Sequence, residues 1–290
     1  MMHQQAIDLL DLAIAEDLGT GDITTQAIYT KNEKYEAKIL AKANGVIAGI
    51  EVAKYILSKM APDTQITNSK TDGGPLQYGN TIMLIEGQAD QLLSAERLIL
   101  NCMQRMSGIA TNTFKMAQMI AHTKAILLDT RKTLAGHRYL DKWAVRLGNG
   151  QNHRMGLYDR YLIKENHINV AGGISEALLA VKKHKANNKL GDDILIEIEV
   201  PNIESLKTVL EVNEEHGQIA QIVMLDNMSP AKTREAVKLN EGRVKLEASG
   251  NVNQHTVVAI AETGVDYISC GAITHSVAAL DMTMLFSTVK

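Results

Sequence analysis

The strongest constraint on the fold is a beat in the second half of the sequence. Six short apolar runs recur there: AILLDTRK (125–132), RYLIKENH (160–167), ILIEIEV (194–200), QIVMLDN (221–227), VKLEASG (244–250) and DYISCGA (266–272). Between most of them lie stretches with helical spacing, namely ISEALLAVKKH, NIESLKTVLEVNEEHG, PAKTREAVKLN and TVVAIAETG. Parallel strands cannot be joined by tight turns, so near-continuous apolar strands separated by helices predict a parallel sheet with crossover connections. Six strands fall short of the eight of a closed (β/α) barrel, which predicts an open, incomplete one. No glycine-rich dinucleotide fingerprint follows the first run, which argues against a Rossmann domain.

The first third lacks this beat. Ala6, Leu9, Leu10, Ala13 and Ile14 predict an amphipathic helix over 6–17, ended by Gly19, Gly21 and Asp22. A strand over 35–43, a turn at Asn44-Gly45, a helix over 50–60, a loop at 72–75 and a strand over 81–86 follow. Residues 90–123 predict one or two long helices with an apolar stripe of Leu92, Ile99, Met103 and Met106. Arg97, Asn101 and Arg105 form a second, polar stripe, which by itself reads as a solvated face.

Composition excludes several function classes. Aromatic residues are 4 %, too few for a protein that stacks bases, and a pI of 6.3 does not suit a general polyanion binder. Cys102 and Cys270 are too few for a disulfide framework; both sit in apolar runs and read as buried thiols of a reducing compartment. The N-terminal stretch carries no basic leader, and no apolar run reaches the length of a membrane span. The expectation is a cytoplasmic protein with neither a nucleic-acid nor a membrane partner.

Five of the six runs turn polar at their C-terminal ends: Arg131 and Lys132, Lys164, Glu197 and Glu199, Asp226 and Asn227, Glu247 and Ser249. Parallel α/β folds build their sites at these strand ends. From Arg131 to Lys164 there are eight Lys or Arg residues against two acids, Asp141 and Asp159, in a chain of net charge −3. Convergent cations repel unless an anion compensates, so Arg131, Lys132, Arg154 and Lys164 predict an anionic ligand. Arginine suits a carboxylate through its bidentate fork, and lysine suits phosphate as a mobile point charge.

Glu197 and Glu199 stand two apart on a strand and share a face, and Asp226 ends the next strand. Three roles stay open for them: neutralising the cations, holding Mg²⁺ through oxygen, or stabilising a cationic transition state. The turns Ser249-Gly250-Asn251 and Gly271-Ala272 each follow a late strand, where backbone N–H groups can cradle a phosphate. The histidines show no zinc spacing, and His153 stands out only for its place between Asn152 and Arg154.

Together the motifs DTRKT (129–133), NHRMGLYD (152–159), LIKENHI (162–168), EIEV (197–200), MLDNM (224–228), LEASGNV (246–252) and DYISCGAITHS (266–276) resemble those of the quinolinate phosphoribosyltransferase family, the carboxylating nicotinate-nucleotide pyrophosphorylases. EDLGTGDITT (16–25) and ERLILNCMQRMSGIAT (96–111) fit too, so the resemblance runs in order over nearly the whole chain. It implies conversion of quinolinate and phosphoribosyl pyrophosphate to nicotinate mononucleotide, pyrophosphate and CO₂, with Mg²⁺. It also implies an N-terminal α/β sandwich domain (1–112), rejoined by a C-terminal helix over 275–290, and an open α/β barrel over 113–274. The resemblance further implies a homodimer or larger assembly with shared active sites.

Carried over by motif position, the resemblance implies that Arg131, His153, Arg154 and a neighbour's Arg97 hold the quinolinate carboxylates. Lys132 and Lys164 would lie between the substrates. Glu199 and Asp226 would face the ribose and the metal–pyrophosphate side. Ser249, Gly250, Asn251 and Gly271 would take the 5′-phosphate. Arg138, Lys142, Arg146 and Arg160 have no assigned ligand and read as surface or interface residues. The chain departs from the family pattern at Leu134-Ala135-Gly136, at Gly148-Asn149-Gly150, where three glycines are usual, and at Asn251, where a glycine is common. Three other readings compete: a related paralogue of molybdenum metabolism, disfavoured by the intact NHRMG motif, a Schiff-base aldolase, and an RNA-binding scaffold. The crowding of arginines argues against the aldolase, and the low aromatic content against the RNA-binding scaffold.

Overall fold

A computed structural model describes residues 2–29 and 33–289. The chain opens with α1 (Gln4–Leu18) and α2 (Ile23–Ile28), then β1 (Lys34–Ala41), β2 (Gly45–Val46), α3 (Ile50–Met60), β3 (Gln65–Ser69), β4 (Pro75–Leu76), β5 (Thr81–Gln88) and the 31-residue α4 (Ala89–Met119). Next come β6 (Ile126–Leu128), α5 (Arg138–Leu147), β7 (Tyr161–Ile163), α6 (Glu165–Ala171), α7 (Ile174–Asn187), β8 (Ile196–Val200), α8 (Ile203–His216) and β9 (Ile222–Asp226). The last part runs through α9 (Pro230–Asn240), β10 (Lys245–Ser249), α10 (Val257–Ala261), β11 (Tyr267–Ser269), α11 (Ala272–His275) and β12 (Met282–Thr288).

Two compact units result. One comprises Met1–Lys115, Thr133–Asn149 and Ile273–Lys290; the other comprises Met116–Lys132 and Gly150–Ala272.

The first unit is built on a four-stranded sheet of order β12-β1-β5-β3, with antiparallel pairs throughout. β1 alternates as a half-buried strand should, with Ala37, Ile39 and Ala41 fully buried. The stripe Leu92, Ile99, Met103 and Met106 of α4 is buried as its spacing predicts. Hydroxyls of α4 also complete backbone groups in and just after β2: Val46 N–H donates to Thr111 and Ala48 N–H to Ser107, both at 2.9 Å. Close approach to α4 needs glycine. A Cβ at Gly148 would stand 2.3 Å from the Ala110 carbonyl, and one at Gly108 would stand 2.3 Å from the Ala278 carbonyl.

The C-terminal helix expected over 275–290 is not there. α11 stops at His275, and Met282–Thr288 forms β12 along β1, from Tyr35 opposite Thr288 to Ala41 opposite Met282. Met282 and Met284 are buried while Leu285 is exposed, and without β12 the outer edge of β1 would present unpaired N–H and C=O groups. Lys290, the last residue of the expected helix, lies outside the described residues.

Thr133–Asn149 also departs from the expected boundary, since it groups with the first unit although the sequence assigns it to the barrel. A buried ion pair holds it there: Arg105 of α4 grips Asp141 of α5 with Nε and Nη2 at 2.9 and 2.7 Å, and Asp141 is fully buried. Arg105 therefore does not belong to a solvated stripe, whereas Arg97 and Asn101 are exposed. Lys142, expected at a surface, is fully buried, because α5 turns Leu140, Asp141, Ala144 and Val145 inward around it.

The second unit carries all six predicted strands in one parallel sheet of order β6-β11-β10-β9-β8-β7. In terms of the six runs this is first-sixth-fifth-fourth-third-second, the stave order of a barrel left open between its first two strands. Gln151 makes a single parallel bridge to Leu128 on the free edge of β6. β6, β7 and β11 are only three residues long, because the polar ends of their runs leave the ladder for loops. Helix starts follow local rules: Asn202 caps α8 through Ser205 N–H at 2.8 Å, and Ser229 followed by Pro230 starts α9.

Cys270 is buried and Cys102 half-buried, its thiol pushed by burial up to about 11. Among the described residues no helix is long and apolar enough to cross a membrane.

Breaking the Arg105–Asp141 pair from one side leaves an uncompensated charge, so Asp141→Ala should lower unfolding free energy by about 3 kcal/mol in urea titrations. An unchanged midpoint would show that the pair does not hold α5.

Candidate active site

The six strands run parallel, so their C-terminal ends share one edge of the sheet and carry the predicted side chains. Arg131 follows β6, Lys164 stands between β7 and α6, and Glu199 lies near the end of β8. Asp226 and Ser249 close β9 and β10 opposite each other, and Gly271 follows β11. Arg154 arrives from the loop that bridges to β6.

Asp129 ties that loop to the strand. Its carboxylate is fully buried, accepts the His153 N–H at 2.9 Å through Oδ1, and takes the Asn152 side-chain amide through Oδ2. The backbone repeats the tie, with Asp129 N–H to Gln151 O at 3.1 Å and Gln151 N–H to Leu127 O at 2.9 Å. Asp159 then closes the next turn by accepting Met155 and Gly156 N–H groups at 2.7 and 3.0 Å. Burial pushes its carboxyl up, but those amides and Arg160 outweigh it and hold it below the usual range.

This scaffold brings the Arg131 charge near enough to act on Arg154. Arg154 is buried, and burial together with the neighbouring Arg131 charge draws its pKa below the ordinary guanidinium value. Its Nη1 donates to the Arg160 carbonyl at 3.2 Å. Arg131 keeps a buried Nε with no hydrogen-bond partner among the described residues. The two local acids are engaged elsewhere, Asp141 by Arg105 and Asp159 by backbone amides. A buried Arg154 under the influence of a half-buried Arg131 with an unused donor can seat a carboxylate or another compact anion.

Deeper in the same unit lies a buried acid cluster. Glu197 and Glu247 are fully buried and His153 nearly so. His153 Nε2 stands 3.1 Å from Glu197 Oε2, and Arg160 Nη1 reaches the same oxygen at 3.3 Å. His153 Nδ1 accepts the Arg154 N–H at 2.7 Å, so the ring proton sits on Nε2. Burial raises Glu197, yet His153 and Arg160 prevail and hold it below the usual carboxylate range. Glu247 behaves oppositely: burial and the nearby Glu197 push its carboxyl well up. Arg160, read from the sequence as a surface or interface residue, is thus a partner of Glu197, because the loop ended by Asp159 turns it inward.

Toward the strand ends the charges become accessible. Lys164 Nζ pairs with Glu199 Oε2 at 2.6 Å, and Glu199 is partly exposed where Glu197, two residues earlier, is not. Asp226 accepts the Asn227 side-chain amide at 2.9 Å. Asn227 and Asn251 both adopt left-handed backbone, with φ of 52° and 51°, and their side chains join through Asn251 Nδ2 and Asn227 Oδ1 at 3.2 Å. Gly250 between β10 and Asn251 has φ 96°, and a Cβ there would meet Asn227 Oδ1 at 2.1 Å. The Ser249-Gly250-Asn251 turn therefore depends on left-handed backbone and on the absence of a side chain at Gly250.

Two departures from the glycine pattern find their reason here. Asn149 and Asn251 both have positive φ, at 64° and 51°, and asparagine is the non-glycine residue that best tolerates that region.

Of the remaining predicted residues, Lys132 is exposed beyond β6, and Arg97 is exposed on α4 within the first unit. Asp129, Asn227 and Glu247 carry much of the geometry and were not singled out as site residues. Asp129 and Asn227 stand inside the DTRK and MLDN motifs, but their contacts reach 24 residues along the chain, which no local pattern reveals.

Known proteins resemble this chain over nearly its whole length. Residues 22–107 match the family model "Quinolinate phosphoribosyl transferase, N-terminal domain" and residues 109–285 its C-terminal domain. A mitochondrial quinolinate phosphoribosyltransferase (decarboxylating) of Nicotiana glauca is 43 % identical over 291 residues, covering 97 % of this chain and 82 % of that protein. A probable carboxylating nicotinate-nucleotide pyrophosphorylase of Bacillus subtilis is 40 % identical, covering 98 % and 94 %. The solved nicotinate-nucleotide pyrophosphorylase of Francisella tularensis superposes with a TM-score of 0.90 at 39 % identity, covering 98 % and 96 %.

The left-handed turn makes a direct test. Asn251→Gly should keep stability and inorganic phosphate binding close to the parent, while Asn251→Ala should cost about 1 kcal/mol in denaturant unfolding. Equal behaviour of the two variants would show that the backbone conformation at this position is unimportant.

Proposed function

We infer how this chain works from one premise: it belongs to the quinolinate phosphoribosyltransferase family. It transfers a phosphoribosyl group to quinolinate with decarboxylation, a pentosyl transfer of NAD biosynthesis that yields nicotinate mononucleotide, pyrophosphate and CO₂. The observation that carries the assignment of residues is the buried, unused Nε of Arg131, whose charge acts on the buried Arg154.

On this reading Arg131 and Arg154 take the quinolinate carboxylates, and the exposed Arg97 of a neighbouring copy in a homodimer or larger assembly completes the seat. Lys132 and Lys164 lie where quinolinate meets the sugar phosphate. The Ser249-Gly250-Asn251 turn and Gly271 receive the 5′-phosphate through backbone N–H groups. The pyridine nitrogen attacks C1 of the ribose while the C1–oxygen bond to pyrophosphate breaks. Glu199 and Asp226, on neighbouring strands, stabilise the positive charge that develops on the sugar. The ribosylated ring is a pyridinium; the electrons of the breaking bond to the 2-carboxylate pass into it, CO₂ leaves, and a proton takes its place at C2.

Glu199 and Asp226 also fit a magnesium ion. Both are oxygen donors at the accessible strand ends, and one oxygen of each is oriented by Lys164 or Asn227. Mg²⁺ commonly takes one or two carboxylates and completes its shell with water and substrate phosphate. When bound it would neutralise the leaving pyrophosphate. Much of the rate enhancement comes from holding two polyanions in contact, which explains the density of cations. The two free cysteines favour a reducing compartment, the cytoplasm, and the partners of this chain are its two small-molecule substrates.

Release of labelled CO₂ from carboxyl-labelled quinolinate, dependent on phosphoribosyl pyrophosphate, tests the activity itself. Arg154→Ala should lose roughly 2–5 kcal/mol of transition-state stabilisation in kcat/KM, with an unchanged circular dichroism spectrum. Near-normal turnover in that variant would overturn the seat. Mixing Arg97→Ala with Lys132→Ala chains should partly restore activity, and no recovery after verified subunit exchange would exclude a shared site.

A further inference from the structure

One buried group has no part in the chemistry above. Glu247 stands on β10, fully buried, and neither of its oxygens has a hydrogen-bond partner among the described residues. Glu197 Oε1 is likewise without one, as is Ser269 Oγ of the adjacent β11. Three polar residues without full partners in one sheet interior are costly unless something pairs them. Donor atoms of His153, Glu197 and Glu247 all lie within 4.8 Å of one another, with Arg160 at 3.3 Å from Glu197.

A bound metal is the first candidate, and the histidine argues against it. A metal-ligating imidazole offers one bare nitrogen and normally donates N–H from the other. Here Nδ1 accepts the Arg154 N–H, so Nε2 carries the ring proton, 3.1 Å from Glu197 Oε2 and 3.6 Å from Glu247 Oε1. Ligation through Nε2 would leave no ring proton at all, an imidazolate facing two carboxylates. A proton fits the site better than a cation.

We propose that Glu247 is a positioning residue: as the neutral acid it donates its O–H to Glu197, and the pair fixes the His153 ring and, through Nδ1, the backbone of Arg154. Glu197 then has three donors within reach, the O–H of Glu247, His153 Nε2 at 3.1 Å and Arg160 Nη1 at 3.3 Å, the kind of surroundings a buried carboxylate requires. The interior charge balances as well, with one carboxylate against one guanidinium. Burial next to Glu197 favours the neutral form of Glu247, in keeping with this division of labour. The chain of contacts runs from β10 to β8 to the NHR segment, so the seat for the substrate carboxylate is built from inside the sheet.

The functional half of this inference rests on Arg154 being a quinolinate ligand; the structural half does not. In the ligand-free enzyme at neutral pH, the infrared difference between wild type and Glu247→Gln should contain the carbonyl stretch of a protonated carboxylic acid. Nitrogen-15 spectra should show His153 as the Nε2–H tautomer. Absence of the carboxylic-acid band overturns the proposal, as does a stoichiometric divalent metal that copurifies with wild type and disappears in Glu247→Gln. Kinetics then read the consequence. Glu247→Gln, a neutral isostere, should keep the KM for quinolinate within about threefold. Glu247→Ala should raise it about tenfold or more while the KM for phosphoribosyl pyrophosphate stays nearly constant. If the glutamine variant is as impaired as the alanine variant, or both KM values rise together, Glu247 does not position Arg154. If the band is present but quinolinate is not turned over by wild type, the assignment of substrate fails and the buried pair stands.

Discussion

A carboxylate inside a parallel sheet is tolerated only when donors surround it, and Glu197 is the point about which the second unit arranges its charges. Its alternative to pairing is a desolvation cost of several kcal/mol. His153 and Arg160 reach it from the loop after β6, although its own strand lies at the far side of the sheet order. Because its Oε2 is approached from that loop, the loop is held, and with it Arg154. Asp129 performs the same service from the other side by accepting His153 N–H and the Asn152 amide. The segment that carries Arg154 is thus supported by two buried acids inside the protein.

The open barrel gives this arrangement its place. With β6 and β7 unpaired, the segment that joins them need not cross a closed wall, and Gln151 borrows one bridge from β6 on its way to Arg154. A closed barrel would spend that edge on strand pairing. The graded burial along β8 follows the same logic: Glu197 deep in the sheet is structural, whereas Glu199 near the strand end is accessible and paired with Lys164. Two identical side chains two residues apart therefore serve different purposes, and depth alone separates them.

Much of this was legible in the chain. The six apolar runs with helices between them predict the parallel sheet, because burial on both faces leaves strands with little polar alternation. The polar residues at the run ends predict the site edge, and the motifs carry the family. The failures have physical causes. Residues 282–288 take a strand only because β1 has an edge to fill, a fact about the sheet and not about MTMLFST. Lys142 and Arg160 look like surface cations, but burial of a long charged side chain depends on partners brought by other elements. Arg105 leaves its helical stripe for Asp141, 36 residues away.

The sequence by itself determined the local alphabet: strand and helix periods, the glycine and asparagine positions that permit left-handed turns, and an excess of cations that demands an anion. Asn149 and Asn251 show how far this goes, since their side chains suit φ values near 60° before any packing is considered. Only the tertiary structure decided which charges are spent inside the protein and which remain for a ligand. Asp129, Glu197 and Glu247 are indistinguishable from solvent-facing acids in a list of residues. They differ because the sheet removes water from them, and desolvation is a property of the surroundings that no single stretch of chain carries.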